Sequence, residues 1–98
     1  MIFTSGGTGF GPRDVTPEAI LPLVFKRAGS LENFMQMEAQ KFTKMACLSR
    51  SLIAVIKHGD IQTMVVCFPG KPKAIKENLQ ILMQNGILVH AIQLMKGR

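Results

Sequence analysis

With 98 residues the chain has room for one domain and a modest core. Apolar residues make up 47 % and charged residues only 18 %, mean hydropathy is +0.22, and 12 Lys and Arg against 6 Asp and Glu leave a net charge of +6. No 18-residue apolar run predicts a membrane span, and a chain without Trp or Tyr or a block of like charges has only its net charge to recommend it as an RNA or DNA binder, so the positive excess points to a small anionic ligand.

Met1 to Thr4 read as the end of a buried strand. Residues 5–16 follow as a loop with glycines at 6, 7, 9 and 11. Such a backbone approaches a ligand closely, and its consecutive N–H groups converge on an anion. Asp14 comes next, where a divalent cation held against phosphates needs a carboxylate; the plainer role for an acid here is a partner for a helix dipole. Thr16 reads as an N-cap, Pro17 as the first helical residue and Glu18 as first-turn acid. The pattern predicts a helix over 17–28, with Ile20, Leu23 and Val24 on one face, loosened by Pro22 and ended by Gly29.

Ser30 is then expected to cap a helix reaching about Lys44, with Leu31, Phe34, Met35, Phe42 and Met45 as a core or interface stripe. Residues 52–56 and 61–68 are rich in β-branched side chains and flank Gly59-Asp60, a hairpin pattern that makes His58 an exposed turn residue. Pro69-Gly70 breaks the second strand. Pro72 opens a helix with Ile75, Leu79, Leu82 and Met83 inward, and Asn85-Gly86 ends it. Residues 87–95 form a last apolar helix docked on the sheet, with His90 as a hydrogen-bonded structural residue.

Cys47 and Cys67 lie twenty apart, without a CxxC pair and far in sequence from His58 and His90. Neither a zinc site nor a disulfide framework is expected, and a reducing cytoplasm is the default compartment. Alternating strands and helices predict an α/β fold with helices on both faces of a sheet. Ligands of such sheets bind beyond the carboxyl ends of strands, so loops 5–14 and 69–73 are expected to share one edge.

The run Gly6-Gly7-Thr8-Gly9-Phe10-Gly11-Pro12-Arg13-Asp14-Val15-Thr16-Pro17-Glu18-Ala19 resembles the signature of the MoaB/Mog (molybdopterin-binding) family. Leu48-Ser49-Arg50, then Pro69-Gly70-Lys71-Pro72-Lys73-Ala74-Ile75-Lys76-Glu77, then His90-Ala91-Ile92 match further family motifs in order; Cys67-Phe68 stands where the family usually has Asn-Leu. The resemblance implies a three-layer α/β/α fold, and it implies that a whole family domain starts earlier than Met1, with further strands and helices. The chain is therefore expected to be the C-terminal portion of such a domain, carrying Asp14 but lacking a second carboxylate linked to catalysis.

The resemblance also implies molybdenum cofactor biosynthesis by molybdopterin adenylyltransferase chemistry, with ATP and molybdopterin as substrates and Mg²⁺ as the metal. Asp14 would be the catalytic and metal-holding residue. Gly6, Gly7, Thr8 and Gly9 would cradle phosphate, Ser49, Pro69, Gly70 and Lys71 would line the pterin side, and Lys73 would neutralise charge. Lys76 is either a phosphate partner or part of a solvated face. Arg13, Arg50 and Glu77 are expected to brace loops by pairing. A homotrimer and a molybdate-inserting partner domain are implied, with no nucleic-acid or membrane partner. The alternative is a non-catalytic relative that only binds pterin or assembles with full-length subunits.

Overall fold

The computed structural model describes residues 1–97. It runs β1 (Ile2–Ser5), α1 (Thr16–Ile20), β2 (Val24–Arg27), α2 (Gly29–Ala39), β3 (Ile53–His58), β4 (Ile61–Phe68), α3 (Pro72–Leu82) and α4 (Ile87–Met95). Strands β3 and β4 form the expected antiparallel hairpin, with Ile53 opposite Val66 and His58 opposite Ile61. Gly59 turns the chain at φ 60, which glycine adopts without steric cost, and His58 is exposed as expected.

The sheet order is β1-β4-β3-β2. Because β1 runs parallel to β4, with Ser5 opposite Phe68, both strands deliver their following loops to the same edge. Alternation along β3 and β4 then divides two cores. Ile53, Val55, Met64, Val66 and Phe68 face α2, α3 and α4, packing with Met35, Ala39, Ile81, Leu82 and Leu88. Leu52, Ala54, Val65 and Cys67 face the other way, where Ile20 and Val24 cover them. Helices thus lie on both faces, thickly on one and thinly on the other. Phe3 stacks on Phe68 on the thick side, ring centroids 5.4 Å apart.

Several sequence expectations are corrected. The helix over 17–28 is a single α-helical turn, Thr16–Ile20, followed by a 3₁₀ turn at Leu21–Leu23 and then by strand. Pro22 offers no N–H to continue the helix, and Val24 to Arg27 pair along the open edge of β3 instead, with a bulge between Val24 and Lys26. Thr16 is inside α1, not its cap: Val15 holds that position without a side-chain cap bond. Gly29 begins α2 rather than ending a helix, and Ser30 lies within it.

Helix α2 stops at Ala39, not near Lys44. Thr43 is extended, and its hydroxyl accepts the Met45 N–H to cap a 3₁₀ turn at Lys44–Leu48. A local side-chain bond of this kind competes with helix continuation. Phe42 and Met45 are therefore exposed rather than part of an inward stripe. In α3 the buried face is Asn78, Ile81 and Leu82, whereas Leu79 and Met83 point outward. Helix α4 does dock, through Leu88, Ala91 and Met95. His90 is exposed on it, not held as a structural contact.

Candidate functional site

The loop after β1 folds back on itself. The Gly6 N–H donates to Phe68 O at 2.9 Å, tying the start of the loop to the end of β4. Thr16 then clasps the loop from inside α1: its hydroxyl donates to Gly6 O at 2.9 Å and its N–H to Gly7 O at 3.0 Å. Gly6 and Gly7 both have positive φ, 93 and 74. A Cβ on Gly70 would stand 3.3 Å from Gly6 Cα, so the two loops touch backbone to backbone. A larger residue at 70 would have to push that backbone back by a few tenths of an ångström.

Between the loops lies a cleft of about 580 Å³. Gly6, Gly7, Thr8, Gly9, Asp14, Ser49, Pro69, Gly70 and Lys71 all line it. The residues expected from the glycine run, the Leu48-Ser49-Arg50 segment and the Pro-Gly turn are thus gathered from three distant parts of the chain. Thr8 is buried, and its hydroxyl shares a 3.0 Å hydrogen bond with Ser49 Oγ, which in turn lies 3.2 Å from Ser51 Oγ. Lys73 is the exception among the expected residues: it sits exposed on the first turn of α3, outside the cleft lining, as does Lys76 one turn on.

Asp14 is half-buried, and its Oδ2 accepts the Gly11 N–H at 2.8 Å. Glycine at 9 and 11 makes room for it, because a Cβ at either would come within 2.9 Å and 2.8 Å of that oxygen. The brace expected of Arg50 is present. Its Nε donates to Gly9 O at 2.8 Å, its Nη2 to Asp14 O at 2.6 Å, and its Nη1 pairs with Glu18. The Arg50 N–H also reaches Thr8 O at 2.8 Å. Glu77 is not that partner; it lines the cleft instead, and Arg13 is exposed.

One wall escaped sequence reasoning. Gln36 and Ala39 of α2, with Thr43, Met45, Ala46 and Leu48 beyond it, close the side facing α3. Gln36 Nε2 donates to Ala46 O at 2.5 Å and so ties the 3₁₀ turn to α2. The break of α2 at Ala39 builds this wall, and a stripe read as continuous helix conceals it. Asn78, also on the lining, was hidden by its polar identity on an apolar stripe.

Valine at Gly7 tests how far the loop is fixed. A Cβ there would stand 2.0 Å from Thr16 Oγ1, and φ 74 disfavours a β-branched residue. Gly7→Val is expected to lower stability by about 2 kcal/mol and to weaken phosphate binding as well. Urea unfolding beside a phosphate-ligand titration checks both, and unchanged values would refute the clasp.

A family model described as "Probable molybdopterin binding domain" matches residues 1–89. Gephyrin of Dictyostelium discoideum is 41 % identical over 98 residues, which is 100 % of this chain and 13 % of that protein. Molybdopterin adenylyltransferase of Escherichia coli (strain K12) is 33 % identical over 94 residues, 94 % of this chain and 46 % of that one. Among solved structures, the molybdopterin biosynthesis Mog protein from Mycobacterium ulcerans superposes with a TM-score of 0.86 at 29 % identity, covering 99 % of this chain and 60 % of that one. The chain thus spans less than half the length of these two curated relatives.

Proposed function

The chain belongs to the molybdopterin-binding domain family, and we propose that its cleft binds phosphorylated pterin in molybdenum cofactor biosynthesis and positions it for AMP transfer from ATP. The observation that carries the reading is the meeting of two glycine turns, at 6–9 and 69–70, on one cleft with Asp14 between them and the helix α1 start. The Gly6 N–H is taken by Phe68 O, and the glycine backbone at 7, 9 and 70 lets a phosphate approach the remaining N–H groups without interference from side chains. Lys71, exposed on the cleft lining, adds a positive charge.

In the proposed reaction an oxygen of the pterin's terminal phosphate attacks the α-phosphorus of ATP. A new P–O bond forms, the bond from the α-phosphorus to the bridging oxygen breaks, and pyrophosphate departs with the electron pair. Such chemistry rests on positioning and charge neutralisation more than on proton transfer. The loop backbone and the Thr8–Ser49 hydroxyl pair hold one phosphate group. Arg50 acts on the loop's own carbonyls and so fixes where Asp14 stands.

Among the described residues no group of three His, Cys, Asp or Glu side chains converges as a metal cage. Asp14 nonetheless fits Mg²⁺, which is commonly held by one or two carboxylates with phosphates and waters completing its shell. One oxygen of Asp14 is engaged by Gly11, which leaves the other for the ion. When bound, Mg²⁺ supplies charge neutralisation at the phosphates.

A second reading is pterin binding without turnover, in assembly with longer subunits; Asp14 as the one acid of the glycine loop favours it. Exposed Ile2 and Phe3 on the edge strand β1 suit an oligomer, a homotrimer by the family resemblance. Free Cys47 and Cys67 suit a reducing, cytoplasmic setting.

The test is a fluorescence titration with a pterin methyl phosphate ester and with the same pterin lacking phosphate. Removing the phosphate is expected to cost about tenfold or more in affinity, equivalent to a pair of charge-assisted hydrogen bonds. Equal affinities would sink the phosphate cradle.

A further inference from the structure

Helix α3 packs on the sheet through Ile75, Ile81 and Leu82. Asn78 stands on the same stripe, three residues after Ile75 and three before Ile81, where the helical period calls for an apolar residue. It is 5 % exposed, and the little surface it retains opens into the cleft. Its carboxamide makes no hydrogen bond to another described residue. The amide is not sealed in the core, since among the described residues the buried side-chain atom left without a partner is Thr4 Oγ1. The donor and acceptor of Asn78 stay open to the cleft, while packing on the sheet would be served as well by an apolar residue of like volume. Packing alone does not account for asparagine here.

The surroundings indicate what its partner is. Ala74 on the preceding turn and Ala39 of α2 line the same cleft and add little bulk to it. Ala46 and Leu48 add apolar surface to the same lining. The phosphate cradle of Gly6, Gly7 and Gly70 lines the same cleft. A volume of about 580 Å³ accommodates a fused bicyclic ring with a phosphate arm.

We propose that the Asn78 carboxamide reads the edge of the ligand's planar nitrogen heterocycle, Oδ1 accepting a ring or exocyclic N–H and Nδ2 donating to the neighbouring acceptor. An amide presents a donor and an acceptor side by side, so it matches the N–H and C=O edge of a pterin and equally the amino edge of an adenine. The role assigned is specificity, not catalysis. It rests on the proposed function in that the cleft must hold a phosphorylated heterocycle. Asn78 discriminates against ligands that leave its amide unpaired.

The experiment compares wild type with Asn78→Leu and Asn78→Ala, titrated with a pterin methyl phosphate ester, with AMP and with inorganic pyrophosphate, alongside urea unfolding. Expected is a loss of about tenfold or more for one heterocycle-bearing probe in both variants. Pyrophosphate affinity stays unchanged, and the unfolding midpoint of Asn78→Leu stays level or rises. Loss confined to the pterin ester assigns the edge to pterin; loss confined to AMP assigns it to adenine. Unchanged affinity for both heterocycles overturns the inference while leaving the phosphate cradle standing. A parallel fall in pyrophosphate affinity, or a sharp fall in the Asn78→Leu midpoint, overturns it by showing a structural amide. Wild type that binds none of the three probes overturns this inference and the proposed function together.

Discussion

On the proposed function, Asp14→Asn is expected to lower magnesium-dependent AMP transfer by about a hundredfold or more while leaving binding of phosphorylated pterin unchanged. Asparagine has the same shape, and its Oδ1 can accept the Gly11 N–H that Asp14 Oδ2 accepts at 2.8 Å. The loop therefore keeps its course, with Arg50 still bonded to the carbonyls of residues 9 and 14. What disappears is the negative charge and with it the proposed hold on Mg²⁺. Two readouts separate charge from fold. Turnover is followed as pyrophosphate release. ATP affinity is measured with and without Mg²⁺, where the wild type gains from the metal and the variant does not. A variant with wild-type turnover and the same Mg²⁺-dependent gain in ATP affinity would remove Asp14 from the site.

Arg50→Met is expected to lower stability by about 2–3 kcal/mol and to weaken binding of phosphorylated pterin by about tenfold or more. Methionine keeps much of the aliphatic stem and removes the guanidinium. The ion pair with Glu18 contributes little to this sum, since the Glu18 side chain is 51 % exposed and water screens it. The larger part comes from the two carbonyls, Gly9 O and Asp14 O, that Arg50 holds at 2.8 Å and 2.6 Å. Without that clamp the segment carrying Asp14 loses its anchor to the residue that follows Ser49. Urea unfolding and a pterin ester titration measure the two effects. Arg50→Lys should rescue little, because one ammonium cannot span two carbonyls as a planar fork does. Full rescue by lysine would show that charge alone mattered.

The parts of the molecule legible in the sequence were those fixed by local chemistry. The glycine loop, the hairpin at Gly59-Asp60 and the start of α3 at Pro72 each follow from a backbone requirement within a few residues. The sharing of one edge by the two loops also followed, from the rule that ligands of α/β sheets lie beyond the strand ends. Where the reading failed, tertiary pairing decided. Val24 suits an inward helical face and a strand equally well, and only the open edge of β3 selects strand. Phe42 and Met45 keep helical spacing with Met35, yet Thr43 ends the pattern with a single hydroxyl bond. Lys73 shares the motif of Lys71 but lies on the outer face of α3. Asn78 could not be singled out at all, since burial gives it meaning and sequence does not record burial.

The parallel pairing of β1 with β4 also bears on the order in which the molecule assembles. The hairpin β3–β4 closes over a two-residue turn, whereas the bond from Gly6 N–H to Phe68 O joins chain segments more than sixty residues apart. Contacts of such long sequence separation carry the greater loop-closure entropy and form late. Strand β1 is short and lies at the rim of the sheet, so it is also among the first elements to fray. The contact that completes the cleft therefore joins the segments whose closure costs the chain more entropy than the hairpin does. A ligand that bridges the two loops adds a cross-link where the native state is weakest, and saturation of the site and protection of the β1–β4 seam rise together.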